Sequence, residues 1–159
     1  MGQRAQKIAD TFEQANNELI AAAERCSDAQ WKTATAAEQW PVGVVFHHVA
    51  EGHKAIAGLA QLLATGQPLP PVTFDMIHQG NAEHAKKHAN CTKAETVKLL
   101  REGGAAAAGI VRGLGDEQLD KSGTLVADLP PMSAQQFLES ILIAHIGEHL
   151  GNIRTSVGA

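Results

Sequence analysis

The sequence predicts an all-α fold, a four-helix bundle, on three observations. Four stretches set apolar residues at alternating steps of three and four, the spacing of one face of a helix. Residues suited to helix ends bound those stretches. No apolar–polar alternation long enough for a sheet occurs, and Thr124-Leu125-Val126 is the only strand-like fragment.

Helix one follows from Ile8, Phe12, Ala15, Leu19, Ala22 and Cys26. Pro41 suits the first turn of helix two, where its missing N–H needs no partner. The stripe of this helix runs Val45, His48, Val49, Gly52, Ile56, Leu59 and Leu63. It stops at Gly66, suited to a left-handed cap, ahead of Pro68, Pro70 and Pro71. Helix three starts at the capping box Thr92-Lys93-Ala94-Glu95 and continues through Val97, Leu100, Gly104, Ala107, Val111 and Leu114. Gly costs about 1 kcal/mol of helix propensity against Ala, but small residues in a stripe let a neighbouring helix come close. A second capping box, Ser133-Ala134-Gln135-Gln136, opens helix four, whose inward stripe is Leu138, Leu142, His145, His149 and Ile153. The connection between helices two and three is the long one. A further helical piece around Ile77 to Ala89 lets it cross the bundle. With no repeat and no second domain evident, residues 1–159 read as one bundle domain.

Composition narrows the function. Against 17 Asp+Glu there are 13 Lys+Arg, a formal net charge of -4 that argues against a basic nucleic-acid binder. A hydrophobic share of 44% with 19% charged residues fits a soluble globular chain. No segment approaches the roughly 18 apolar residues of a spanning helix, and the N-terminal residues lack a signal-peptide pattern. Cys26 and Cys91 stand alone without C-x-x-C spacing, so the expectation is a reduced, cytoplasmic protein. No nucleotide or phosphate loop is visible. What stands out is eight His in a chain with three Met, four Phe and no Tyr.

His145 and His149 differ by about 40° around helix four and share a face. Their stripe points them into the core, where two unpartnered imidazoles are costly to bury and one shared cation removes the cost. His48 falls inside the stripe of helix two and can meet the pair if the two helices run antiparallel. Three neutral imidazoles with an open position form the donor set of catalytic rather than structural zinc, and nickel or iron also accepts it. The competing reading is a set of hydrogen-bonded core histidines. His84 and His88 repeat the i, i+4 spacing, but amid Glu83, Lys86 and Lys87 they read as a solvated pair. His47 points away from the stripe yet is the natural rival to His48; His53 lies at its margin, and His78 follows an irregular stretch. The set His145-Ile146-Gly147-Glu148-His149 also matches H-x-x-E-H of inverted zinc peptidases. Such enzymes need a downstream acidic ligand, and none follows His149.

Trp40-Pro41-Val42-Gly43-Val44-Val45-Phe46-His47-His48-Val49-Ala50, taken with His145 to Arg154, resembles the DinB/YfiT-like metalloenzymes. In that family a Trp precedes a helix carrying H-[LVI]-A, and the last helix carries H-x-x-x-H followed by Gly and a small polar residue. The resemblance spans nearly the whole chain in helix order. It assigns the ligand on helix two to His48, not His47. It further implies up-down-down-up topology with the long crossing between helices two and three, and a divalent metal, zinc, nickel or iron, on His48, His145 and His149. Pro41 departs from the Ser or Thr that caps this helix in relatives.

Characterised relatives include transferases and isomerases that use bacillithiol, mycothiol or glutathione. The resemblance therefore implies a metal-dependent enzyme, a thiol S-transferase or a related small-molecule enzyme. The alternatives are a non-catalytic metal-binding or interaction bundle and, behind it, a metallohydrolase using H-x-x-E-H. The expected partners are a small-molecule substrate and a second copy in a homodimer, with neither nucleic acid nor membrane. Catalytic groups cannot be named from the sequence. Glu148, about 60° from His145 on the wheel, and Glu51, near His48, read equally as acid/base or orienting groups and as surface charges.

Overall fold

The computed structural model describes residues 2–158 and is helical throughout most of its length. Four helical rods form the bundle: α1 (Gln3–Arg25), α3 (Val42–Ala64), α5 (Lys93–Arg112), and a last rod made of α7 (Ala134–Phe137), a π-helical turn (Leu138–Ile143) and α8 (Ala144–Val157). Short helices α2 (Asp28–Trp31) and α6 (Asp116–Leu119) and the longer α4 (Phe74–Lys87) occupy the connections. The only strands among the described residues are β1 (Ser122–Gly123) and β2 (Met132–Ser133), an antiparallel pair flanking the strand-like fragment rather than containing it.

Directions follow from paired contacts. Glu13 of α1 meets Arg112 of α5 and Glu24 meets Arg101, so these two helices are antiparallel. α3 and α5 begin at the same end, where Trp31, packed on Gly43, donates its indole N–H to the Cys91 carbonyl at 3.0 Å, and Ala50 lies beside Gly103 further along. Arg4 reaches Gln135 while Ala22 and Cys26 sit near Ile153, so α1 and the last rod are parallel. The topology is up-down-down-up, with α4 carried on the long α3–α5 crossing.

Local chemistry sets the boundaries. Thr92 Oγ1 accepts the Glu95 N–H at 3.2 Å, without a reciprocal bond from the Glu95 side chain, whereas Ser133 and Gln136 form both halves of a capping box. Gly66 takes φ 71°, the left-handed stop expected of it. Pro41 is the N-cap itself, one place earlier than the first-turn position, and no side chain caps α3. Backbone replaces that cap: the Val42 N–H, which would otherwise have no partner, donates to the Thr33 carbonyl at 2.8 Å.

The core draws Phe12, Leu19, Phe46, Leu100, Leu138 and Leu142 from all four rods. On α3 the inward line is Phe46, Val49, His53, Ala57 and Ala60. Gly52, Ile56 and Leu59, placed inward by sequence, instead line a cleft beside it. The small-residue stripe of α5 admits a polar group: the Asn16 amide donates to the Leu100 carbonyl at 3.0 Å and lies where a Cβ on Gly104 would overlap it.

Candidate metal centre

His48, His145 and His149 come together, each offering a ring nitrogen within 4.8 Å of the others. α3 and α8 position them. The helix wheel of the last rod places His145 and His149 in the core, but the structure places them half-buried at its edge. The reason is the π-helical turn, whose wider spacing adds a residue to one turn. Leu138 and Leu142 within it stay in the core, and after it Ile146, Leu150 and Ile153 take the core face. His145 and His149, each one position earlier, turn toward α3 and the cleft. His48 meets both edge-on, with ring centroids 5.2 and 5.1 Å away. Trp40 packs edge-on against His48 at 5.4 Å.

The hydrogen bonds orient the set for ligation. Glu38, in the turn before α3, accepts from His149 Nδ1 at 2.8 Å and from the Asn152 amide at 3.1 Å through the same oxygen. With Nδ1 holding the proton, His149 Nε2 presents its lone pair toward His145 Nε2, 2.9 Å away. A carboxylate behind a ligand imidazole is the usual device for fixing tautomer and ring orientation. Burial pushes the Glu38 carboxyl up, but Thr35, His149 and Asn152 around it outweigh that and hold it below the usual range. Burial, reinforced by the neighbouring imidazoles, pushes His48 down to about 3 and His145 down to about 4. Neutral imidazoles are the ligating form, so the donor set fits a divalent cation.

Glu38 was not singled out from the sequence, because a loop residue carries no periodicity. Its signal was position: an acidic side chain two residues before Trp40. Glu148, weighed there as an orienting group or a surface charge, is exposed.

Other histidines require correction. His84 and His88 are not a solvated pair. They pack with His47 and Glu51 into a second group whose ligating atoms also lie within 4.8 Å of one another. His47 is buried, and its Nδ1 lies 2.8 Å from His84 Nε2. The face of α4 that carries His84 and His88 packs on α3 while Glu83, Lys86 and Lys87 stay exposed, a division the sequence around His84 could not reveal. His53 is in the core rather than at its margin: 1% exposed, it bonds Asn16 Oδ1 at 2.8 Å and packs edge-on against Phe12. His78 lies on α4, stacked with Phe74.

Beside the three-histidine set runs a cleft of about 430 Å³. Ile56 and Leu59 of α3, Phe74 and Ile77 of α4, and Phe137 and Ile141 of the last rod give it apolar walls. His48 and His145 also line it.

An antiparallel helix pair holding three imidazoles beside an apolar cleft, in an up-down-down-up bundle, defines the class: a DinB/YfiT-like bundle. More narrowly, the mycothiol maleylpyruvate isomerase N-terminal domain family matches residues 12–140, and the chain belongs to that family. The matched segment contains His48 and ends before His145 and His149. Comparison with curated proteins gives no match. No helix is long and apolar enough to cross a membrane.

Proposed function

We propose that the protein is a metal-dependent enzyme that joins a low-molecular-weight thiol to a small, largely apolar electrophile. The observation that carries this reading is the convergence of three imidazoles, two of which line an apolar cleft. His48, His145 and His149 are the ligands, for zinc, nickel or iron. A bound divalent cation supplies Lewis acidity that lowers the pKa of a thiol or water and yields a nucleophile at neutral pH. The name of the mycothiol maleylpyruvate isomerase family supports the thiol, and mycothiol, bacillithiol and glutathione are the candidates.

The chain's own residues do the rest. Glu38 and Asn152 keep His149 in the ligating tautomer. Ile56, Phe137 and Ile141 hold the electrophile by its apolar body and exclude water, which strengthens every electrostatic interaction left in the site. Asn81, at the α4 wall, provides a polar contact for orientation. In the transfer the S–H bond breaks, its proton passes to solvent, and the sulfur electron pair forms the S–C bond. A leaving group departs, or in addition to a conjugated double bond a proton is returned to carbon.

The test is thiol consumption by wild type and His149→Ala across a panel of electrophiles with each of the three thiols. Turnover that requires metal and is lost in His149→Ala supports the reading. Absence of metal-dependent turnover with all three thiols overturns it in favour of a non-catalytic metal-binding bundle.

A further inference from the structure

The group on the seam between α3 and α4 has no role in the proposed reaction. His47 and Glu51, one turn apart on α3, face His84 on α4 and His88 at its C-terminal cap. Besides the 2.8 Å contact between His47 and His84, the Glu51 carboxylate lies 3.4 Å from His84 Nε2 and 3.4 Å from His88 Nε2. We infer that His47, Glu51, His84 and His88 bind a second divalent transition-metal ion, which fastens α4 to α3.

The donor set suits such an ion. Three imidazoles and one carboxylate offer four ligands and one negative charge, matched to the borderline first-row metals. Four protein ligands also make a closed set, the mark of a structural site, whereas three leave a position for chemistry. Hydrogen bonding alone serves these side chains poorly. His84 Nε2 can carry one hydrogen at most yet faces both His47 Nδ1 and Glu51, and the His84 Nδ1 is buried with no partner. Its side chain is only 9% exposed, so water does not readily make up the deficit. A cation accepts lone pairs from all four residues together.

The placement gives the ion a mechanical role. α4 has no fully buried residue of its own, yet Phe74, Ile77, Gly80 and Asn81 form one side of the cleft. A helix so lightly packed is held by what it binds. The ring of His84 lies 5.8 Å from that of His48, so the fastening point adjoins the three-histidine set.

Cobalt(II) titration of chelator-treated protein tests this, with bound metal counted by elemental analysis. Wild type is expected to take up about two equivalents, and Glu51→Gln and His88→Ala about one each. Glu51 is half-exposed, so its replacement leaves the core intact. Amide hydrogen exchange across α4 is expected to slow with the second equivalent in wild type and not in Glu51→Gln. Two equivalents persisting in both variants overturn the inference, as does a single wild-type equivalent that both variants retain. A single equivalent lost in Glu51→Gln but kept in His145→Ala supports this site and overturns the three-histidine reading instead.

Discussion

His47 and His48 are adjacent in sequence, about 100° apart around α3, and belong to two different clusters. His48 faces α8, where both partners sit on a rod anchored in the core by Leu142, Ile146 and Leu150, and where the group adjoins a cleft. His47 faces α4, a lightly packed helix, within a set that already includes its own carboxylate. In the first cluster the carboxylate, Glu38, stands behind His149 and orients it; in the second, Glu51 stands among the proposed ligands. Histidine content is equal. What separates a reactive arrangement from a fastening one is whether the fourth donor is left for something outside the protein.

Removing a ligand from the first cluster should have the largest effect. His149→Ala is expected to lower metal-dependent thiol consumption by at least about 1,000-fold, equivalent to about 4 kcal/mol at the barrier, in steady-state assays. Loss of less than about tenfold breaks the proposed distinction between the clusters.

His53, buried without a ligand set, calibrates what burial alone does. Desolvation first, and His145 second, push it down to about 4 in the folded protein against an ordinary value of 6.5. The unfolded chain therefore binds the proton more readily, and stability contributed above pH 6.5 is lost as pH falls through the folded value. The loss amounts to up to about 3 kcal/mol from this residue. Urea denaturation across pH 4 to about 7 should show a shallower dependence for His53→Gln than for wild type. Equal slopes would mean that the clusters, not this core residue, set the acid sensitivity.

A smaller effect is expected at Glu38. Glu38→Gln should weaken metal binding at the first cluster by about 10-fold to 100-fold and leave the Glu51-dependent equivalent unchanged, as read by competition with a chromophoric chelator. Smallest of all, His88→Ala in metal-free protein should change folding stability by less than about 1 kcal/mol, because its pairing with Glu51 is partly solvated. With cobalt(II) present the same substitution should cost more, measured by thermal unfolding with and without the ion.

Much of the bundle was legible in the sequence because its rods repeat: Ile8, Phe12 and Leu19, or Leu100, Gly104 and Ala107, announce a face by spacing alone. Gly66 and Thr92 likewise mark helix ends through their own chemistry. The three-histidine set was visible because its members sit on such periodic rods. The rest depends on which surface another element covers. α4 reads as solvated because its neighbours in sequence are charged, and only the crossing shows that His84 and His88 lie against α3. Gly52 and Ile56 are apolar for the sake of a cleft, which a helix wheel cannot tell from a core. Glu38 acts from a turn, where no period exists to flag it.

The wide turn at Leu138–Ile143 bears on how such a chain tolerates insertion and deletion. An extra residue there leaves Leu138 and Leu142 seated in the core while it resets everything downstream. Drawing the full-length segment into a regular helix would turn His145 and His149 by about 100°, parting them from His48, whereas deleting one residue from it would remove the extra residue and keep their direction. Indels are usually tolerated in loops and punished in helices for what they do to packing. Here the vulnerability is one of aim: a chain one residue shorter in this turn keeps His145 and His149 directed at His48, and a full-length turn made regular does not.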